Sequence, residues 1–410
     1  MYIFGGYKMV KDLNQMIKDH FSENETIELI EKLVSSPSHD GIENQETGVA
    51  IHIHDFFTTE GIAAELIPVC NGRCNVIARL KGKGTGKTLL LTGHTDTVPP
   101  YDMQGNPYEI KIQDGRMYAR GVLDMKTGLA CMMMAMAAIK RSNIEIDGDI
   151  IFAGVIDEEA KSEGTRALIK SELPYDAAIV SEPTGMKICI THRGLEWLEF
   201  SFHGKTVHSG AQKEGINAIE KAVKFINKIE KELIPELKKS TNSIIESSNM
   251  NYGLIRGGTQ PGAVAGECTL QIDRRWIPGE KYLDILGDYQ KILDDIEKED
   301  PEFKADFKVM EDSYMDSEFV HEAMSADPEE TIVRVAQNIL EQVTGEEAEL
   351  KSFPGWTDGG LINHYKGIPT IILGPGSLES AHSREEHVEI DAVVPAVILY
   401  ALISLEYCKQ

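Results

Sequence analysis

Thr88-Leu89-Leu90-Leu91-Thr92-Gly93-His94-Thr95-Asp96 is the stretch that decides the fold. The run Thr88 to Leu91 shows no polar alternation, as expected of a strand covered on both faces. It then opens into an imidazole and a carboxylate, His94 and Asp96. On an extended chain residues i and i+2 point the same way, so the carboxylate can sit behind the imidazole and fix its tautomer, as it does at metal centres.

Outward from this strand the first half alternates helix and strand. Helices are expected over 23–34, 44–58 and 126–141, and strands over 63–68, 75–80, 149–155 and 177–180. Ser22 followed by Glu25 has the capping-box spacing for the first of these helices. The pattern predicts an α/β fold, a mixed sheet covered by helices. Near Thr191 the character changes, and Glu196 to Phe202 alternates with period two. An amphipathic helix is expected from Asn217 to about Ile234, where Pro235 should stop it. Strands at 253–256 and 268–273, a helix at 280–298 and a strand at 303–309 complete a β-α-β-β-α-β order. A helix at 329–344, a buried strand at 370–373 and a helix at 394–405 return to the first pattern. The expected organisation is a catalytic domain of 1–190 and 312–410 with a ferredoxin-like α+β domain, 191–311, inserted in it.

At 410 residues the chain exceeds one ordinary core. Its formal charge of 41 − 66 = −25 opposes a broad basic face for nucleic acid or an anionic membrane, though not a local pocket for a small anion. No apolar run is expected to reach membrane-spanning length, and Met1 to Gly6 lacks the apolar core of a signal peptide. Met9 is an alternative start. Cys70, Cys74, Cys131, Cys189, Cys268 and Cys408 are scattered and form no zinc knuckle; they are expected to be free thiols in a reducing cytoplasm.

Four more acidic or imidazole sites follow His94. Asp124 stands in a Gly-flanked turn, Glu158 and Glu159 follow one apolar strand, Glu182 follows another, and His382 follows a third. Ligands of open α/β sheets bind beyond the carboxyl ends of the strands, so these sites can converge. Imidazoles and carboxylates without cysteine suit zinc, manganese or cobalt. His94, Asp124, Glu159, Glu182 and His382 exceed the three ligands of a mononuclear catalytic zinc, which points to two metals with Asp124 bridging. Glu158 is then left without a metal and is a natural general base.

Each residue alone has a plainer reading. A Glu-Glu pair is usually a solvated surface, and a single His or Asp at a strand end is usually a cap; only their recurrence argues otherwise. His52 and His54, two apart on a helix, do not share a face. The methionines from Met132 to Met136 read as core filler. Gly82 to Thr88 precedes a strand rather than a helix, so it lacks phosphate-loop geometry.

The motifs Gly93-His94-Thr95-Asp96-Thr97-Val98-Pro99, Gly121-Val122-Leu123-Asp124-Met125-Lys126, Asp157-Glu158-Glu159, Ser181-Glu182-Pro183-Thr184 and Gly374-Pro375-Gly376 with His382 together resemble the co-catalytic zinc amidohydrolases and exopeptidases. Acetylornithine deacetylase, succinyl-diaminopimelate desuccinylase, aminoacylase and glutamate carboxypeptidase belong to that family. The resemblance implies one metal on His94, Asp124 and Glu182 and another on Asp124, Glu159 and His382, with Asp96 orienting His94 and Glu158 activating water. It also implies a cis peptide bond after Asp124 and an inserted domain that acts as lid and dimer contact. In Lys205 to Gly210, His208 would reach a neighbouring subunit's site and stabilise the oxyanion; Arg275 would take the substrate carboxylate. Gly262 stands where many relatives carry an Asn, so one substrate contact of the family is expected to be missing.

The function expected is cleavage of the amide bond of an N-acyl amino acid by a homodimeric enzyme with two divalent ions, zinc before cobalt or manganese. A di- or tripeptidase or carboxypeptidase is the alternative within the class. A non-catalytic binding protein on the same scaffold is the alternative outside it.

Overall fold

The computed structural model describes residues 3–239, 241 and 244–410; Met1 and Tyr2, on which the reading of the start partly rests, lie outside the described residues. Contacts divide the chain into two units, Met1–Thr191 with Met324–Phe353 and Thr357–Gln410, and His192–Ala323 with Pro354–Trp356.

In the larger unit a nine-stranded sheet runs in the order Ala63–Cys70, Arg73–Leu80, Ile150–Val155, Leu89–His94, Ala177–Val180, Thr370–Ile372, Ile188–His192 and Met324–Ser325, with Leu350–Ser352 beside Ile188–His192. Four central neighbours, Ile150–Val155, Leu89–His94, Ala177–Val180 and Thr370–Ile372, are mutually parallel and wholly buried. This is why their sequences are continuously apolar. From Leu89–His94 the chain crosses through the helix Thr127–Ser142 to Ile150–Val155 on one side. It then returns through the helix Glu163–Lys170 to Ala177–Val180 on the other. The order reverses around Leu89–His94, which makes its carboxyl end a topological switch point.

Helices cover the sheet, as the apolar strands require. Thr127 through Ile139 are all buried, and this helix packs against Val393–Tyr407. The expectation about apolar runs needs correction here. Val122–Arg141 and Ile390–Tyr407 are each long and apolar enough to cross a membrane. They are core helices: the first lies fully inside the protein, where it covers the sheet, so its apolar character serves packing. Ser22 Oγ accepts from Glu25 N at the start of Glu23–Val34, as the capping spacing anticipates. The helices Ile3–Lys18, Glu163–Lys170 and Gly359–Lys366 and a small sheet of Lys111–Gln113, Arg116–Tyr118 and His387–Glu389 were not anticipated. Two of those helices are only eight residues long, and the strands only three, too short for a period to show.

The smaller unit holds a four-stranded antiparallel sheet in the order Asn249–Gly257, Glu267–Trp276, Gly194–His203, Lys304–Val309, the order of a ferredoxin-like motif. Gly194–His203 alternates buried and exposed residues. Its buried face carries Phe200, whose ring lies 4.7 Å from Phe225, 5.4 Å from Tyr289 and 5.2 Å from Phe307. These rings join the sheet to the helices Ala218–Lys228 and Tyr282–Glu299.

Two details depart from expectation. Pro235 does not end its helix. A π turn at Ile229–Leu233 intervenes, and Pro235 falls in the first turn of Ile234–Leu237, where no amide donor is needed. The second junction falls after Ala323 rather than at 311/312. Met310 N donates to Trp197 O at 2.9 Å and Leu195 N to His321 O at 3.0 Å, which tie this stretch to the strand Gly194–His203.

Candidate metal centre

Parallel neighbours end on the same edge of a sheet, and the central strands deliver their following residues there. His94 is the last residue of its strand, Glu158 and Glu159 follow Ile150–Val155, and Glu182 follows Ala177–Val180. His382 comes from the loop after Thr370–Ile372, with a left-handed backbone at φ 58°. Asp124 lies in a π turn, Val122–Lys126, with a cis peptide bond to Met125. Gly93 lets this turn approach, because a Cβ there would sit 2.1 Å from Met125 Cε.

The side chains meet. His94 Nε2 is 3.1 Å from Asp124 Oδ1 and 3.8 Å from Glu182 Oε1. His382 Nε2 is 3.1 Å from Asp124 Oδ2 and 3.0 Å from Glu159 Oε1. Asp124 thus stands between the two imidazoles, one oxygen toward each. Donor atoms of His94, Asp124 and Glu159 all lie within 4.8 Å of one another.

Asp96 has a task beyond the one expected. His94 Nδ1 lies 3.0 Å from the main-chain oxygen of Asp96 and 3.6 Å from its carboxylate. The carboxylate also accepts from Glu158 N at 3.2 Å and Glu159 N at 3.0 Å. It therefore holds the loop that carries both glutamates as well as lying behind the imidazole.

The electrostatics are those of a cation site. Burial pushes the Glu158 and Glu182 carboxyls well above their usual range, and neighbouring acids add to the rise. Burial works in the same direction on Asp124, yet His382 and His94 hold it well below the usual range. Hydrogen bonds to Asp124 and Glu159 push His382 up to about 10. Glu182 Oε1 is buried without a hydrogen-bond partner among the described residues. An excess of buried carboxylate oxygens over donors is satisfied by divalent ions, so the residues present fit a metal centre.

Several contributing residues escaped sequence reading. Glu386, wholly buried, accepts from Leu123 N at 3.0 Å and Asp124 N at 3.2 Å and pairs with Arg120. Arg73 bridges Glu46 and Asp157, the residue before Glu158. Asp358, buried beside this acidic group and pushed up to about 6 by burial, accepts from Thr165 Oγ1 at 2.7 Å. For Arg120 and Glu386 the only signal was position: Arg120 lies four residues before Asp124, and Glu386 four after His382.

Two other candidates lie in the smaller unit. His208 is exposed, and its Nδ1 accepts from Gly210 N at 3.1 Å. Arg275 is half-buried and engages Asp273, two residues back on its strand, through Nε at 3.0 Å and Nη2 at 3.1 Å.

Residues 90–406 match the family described as Peptidase family M20/M25/M40. The chain belongs to this family. It is a hydrolase of amide bonds. It is 30% identical over 407 residues to an N-formyl-4-amino-5-aminomethyl-2-methylpyrimidine deformylase of Halalkalibacterium halodurans, covering 94% of this chain and 95% of the relative. It is 27% identical to a probable succinyl-diaminopimelate desuccinylase of Staphylococcus aureus, covering 95% and 99%. Its fold is similar to that of an aminopeptidase of Bacillus cereus, with a TM-score of 0.78 at 23% identity, covering 95% and 100%.

Proposed function

We propose that this hydrolase uses two divalent cations to remove an acyl group from the nitrogen of a small amine such as an amino acid. The observation that carries the reading is Asp124, set with one oxygen 3.1 Å from His94 and the other 3.1 Å from His382. His94, Asp124 and Glu182 would hold one cation, and Asp124, Glu159 and His382 the other, with zinc the first choice for nitrogen and oxygen donors. Such a pair supplies Lewis-acid polarisation of the carbonyl and a more acidic water.

The chain's own residues supply the proton transfers. Glu158 takes a proton from the attacking water and returns it to the departing nitrogen, which leaves as the amine. A carboxylate that is not needed as a ligand is free to carry that proton between the two steps. Because Gly210 N occupies Nδ1 of His208, the neutral ring carries its proton on Nε2 and is a donor for an oxyanion. Arg275 is the proposed contact for a substrate carboxylate.

A homodimer through the smaller unit is part of the proposal. Ile219, Val223 and Ile255 are 39%, 47% and 49% exposed on the helix and edge strand of that unit, and Asn249–Gly257 is a terminal strand of its sheet. Open edges beside exposed apolar residues favour pairing with another copy.

The desuccinylase and deformylase names of the relatives favour acyl removal from an amine. The family's description as peptidases favours the second reading, cleavage of a di- or tripeptide. Metal-stripped and zinc-, cobalt- or manganese-reconstituted protein, assayed on N-formyl, N-acetyl and N-succinyl amino acids and short peptides, tests both. Hydrolysis confined to acylated amines and restored by two equivalents of metal is expected. Hydrolysis unaffected by stripping would overturn the reading.

A further inference from the structure

The ion pair between Arg120 and Glu386 is among the most deeply buried in the protein, at 1% and 0% exposure, and neither residue is among the proposed metal ligands. Its bonds reach both sides of the centre. Glu386 Oε1 accepts the main-chain N–H groups of Leu123 and Asp124, at 3.0 and 3.2 Å, and Oε2 accepts from Arg120 Nη1. Arg120 Nη2 donates to the main-chain oxygen of Ser383, the residue after His382, at 3.3 Å. Arg120 is itself held through its own main-chain N–H, which donates to Pro107 O at 2.8 Å. Two segments far apart in sequence are thus joined through one charged pair, and the side chains they carry meet 3.1 Å apart, His382 Nε2 against Asp124 Oδ2.

We propose that Arg120 and Glu386 are positioning residues which hold Asp124 and His382 in register, so that the second of the two cations finds both ligands in place. The proposal rests on the two-cation reading above. A buried ion pair is a poor source of stability, because apolar residues of similar volume serve as well or better. An apolar pair could not accept two main-chain N–H groups from the turn that carries Asp124, nor donate to the carbonyl beside His382. His382 needs such support, because it comes from a loop with a left-handed backbone rather than from a strand end. Groups that orient ligands in this way typically change metal affinity by about 10–100-fold when altered.

The test is calorimetric titration of the metal-free, full-length protein with zinc, for wild type, Glu386→Gln and Arg120→Lys, beside circular dichroism and thermal unfolding of the same samples. Wild type is expected to take up two ions. Both variants should lose about 10–100-fold in affinity at the site of Asp124, Glu159 and His382, with a smaller loss at the site that shares Asp124 with His94 and Glu182, and with kcat falling more than KM changes. Folded variants that bind both ions as wild type does would overturn the proposal. So would a lower unfolding temperature with unchanged zinc affinity, which is what a purely structural pair predicts. If Glu386→Gln does not fold, Arg120→Lys decides alone, because it keeps the positive charge but loses the fork that reaches Glu386 and Ser383 together. A wild type that fails to bind two ions overturns the two-cation reading instead.

Discussion

The strands Leu89–His94 and Gly194–His203 lie at the centres of the two units and are built on opposite plans. Leu89–His94 is buried at every position and flanked by parallel neighbours. Gly194–His203 alternates buried and exposed residues between antiparallel neighbours. Parallel strands send all their carboxyl ends to one edge, so their following loops gather there. Antiparallel neighbours send successive ends to opposite edges, and the same number of loops would be split between two places. The proposed metal ligands therefore assemble at the parallel strands, whereas the antiparallel sheet is left with one packed face and one more exposed face.

That contrast can be broken by experiment, and the largest effect should come from the parallel side. Glu158→Gln should lower kcat by about 10²–10⁴-fold, the usual worth of a general base, with two metal ions still bound. Near-normal turnover in the metal-loaded variant would remove the role given to Glu158. On the antiparallel side Phe200→Ala should destabilise by about 3–5 kcal/mol, because it empties the space among Phe225, Tyr289 and Phe307. Chemical denaturation would show it, and a cost below about 1 kcal/mol would mean that the ring cluster is not the core of that unit.

Glu196 sharpens the comparison through pH. Burial pushes its carboxyl up to about 7, against the opposing hydrogen bond from Ser313. Folded Glu196 keeps its proton where an unfolded glutamate has released it. Its contribution is full below the unfolded value near 4.5 and is lost as the pH rises to about 7. Stability should fall across that window by on the order of 3 kcal/mol. Glu196→Gln should flatten the slope, and an unchanged slope in denaturation measured from pH 4 to 8 would place its source elsewhere. The smallest effect belongs to Asn217, whose side chain caps the helix Ala218–Lys228 by accepting from Ile219 N at 3.0 Å. Asn217→Ala should cost about 1 kcal/mol, and a cost near zero would show that the cap is dispensable there.

Several elements with a clear period were legible in the sequence. The strand Ala177–Val180 has the expected bounds, and the helices at Glu23–Val34 and Thr127–Ser142 lie within a residue or two of them. The strands Lys111–Gln113 and Arg116–Tyr118 and the eight-residue helices were not, because a period needs more residues than they contain. Pro235 misled for a different reason. Its effect depends on whether the helix around it continues in α geometry, and the π turn before it removes the conflict. The candidate ligands were legible because each follows an apolar run or a glycine turn. Arg120, Glu386 and Asp358 were not, because a buried charge looks like a surface charge until its neighbours are known.

By itself the sequence determined the α/β character, the change of plan near Thr191, and which residues are candidates for the chemistry, because periodicity and strand-end position are local properties. Only the tertiary structure decided that His94, Asp124 and Glu159 come within 4.8 Å of one another. It alone showed that the Asp96 carboxylate takes the amides of Glu158 and Glu159, and that Glu386 holds the turn of Asp124. Those facts depend on strand order and on contacts between distant segments, which no spacing along the chain encodes.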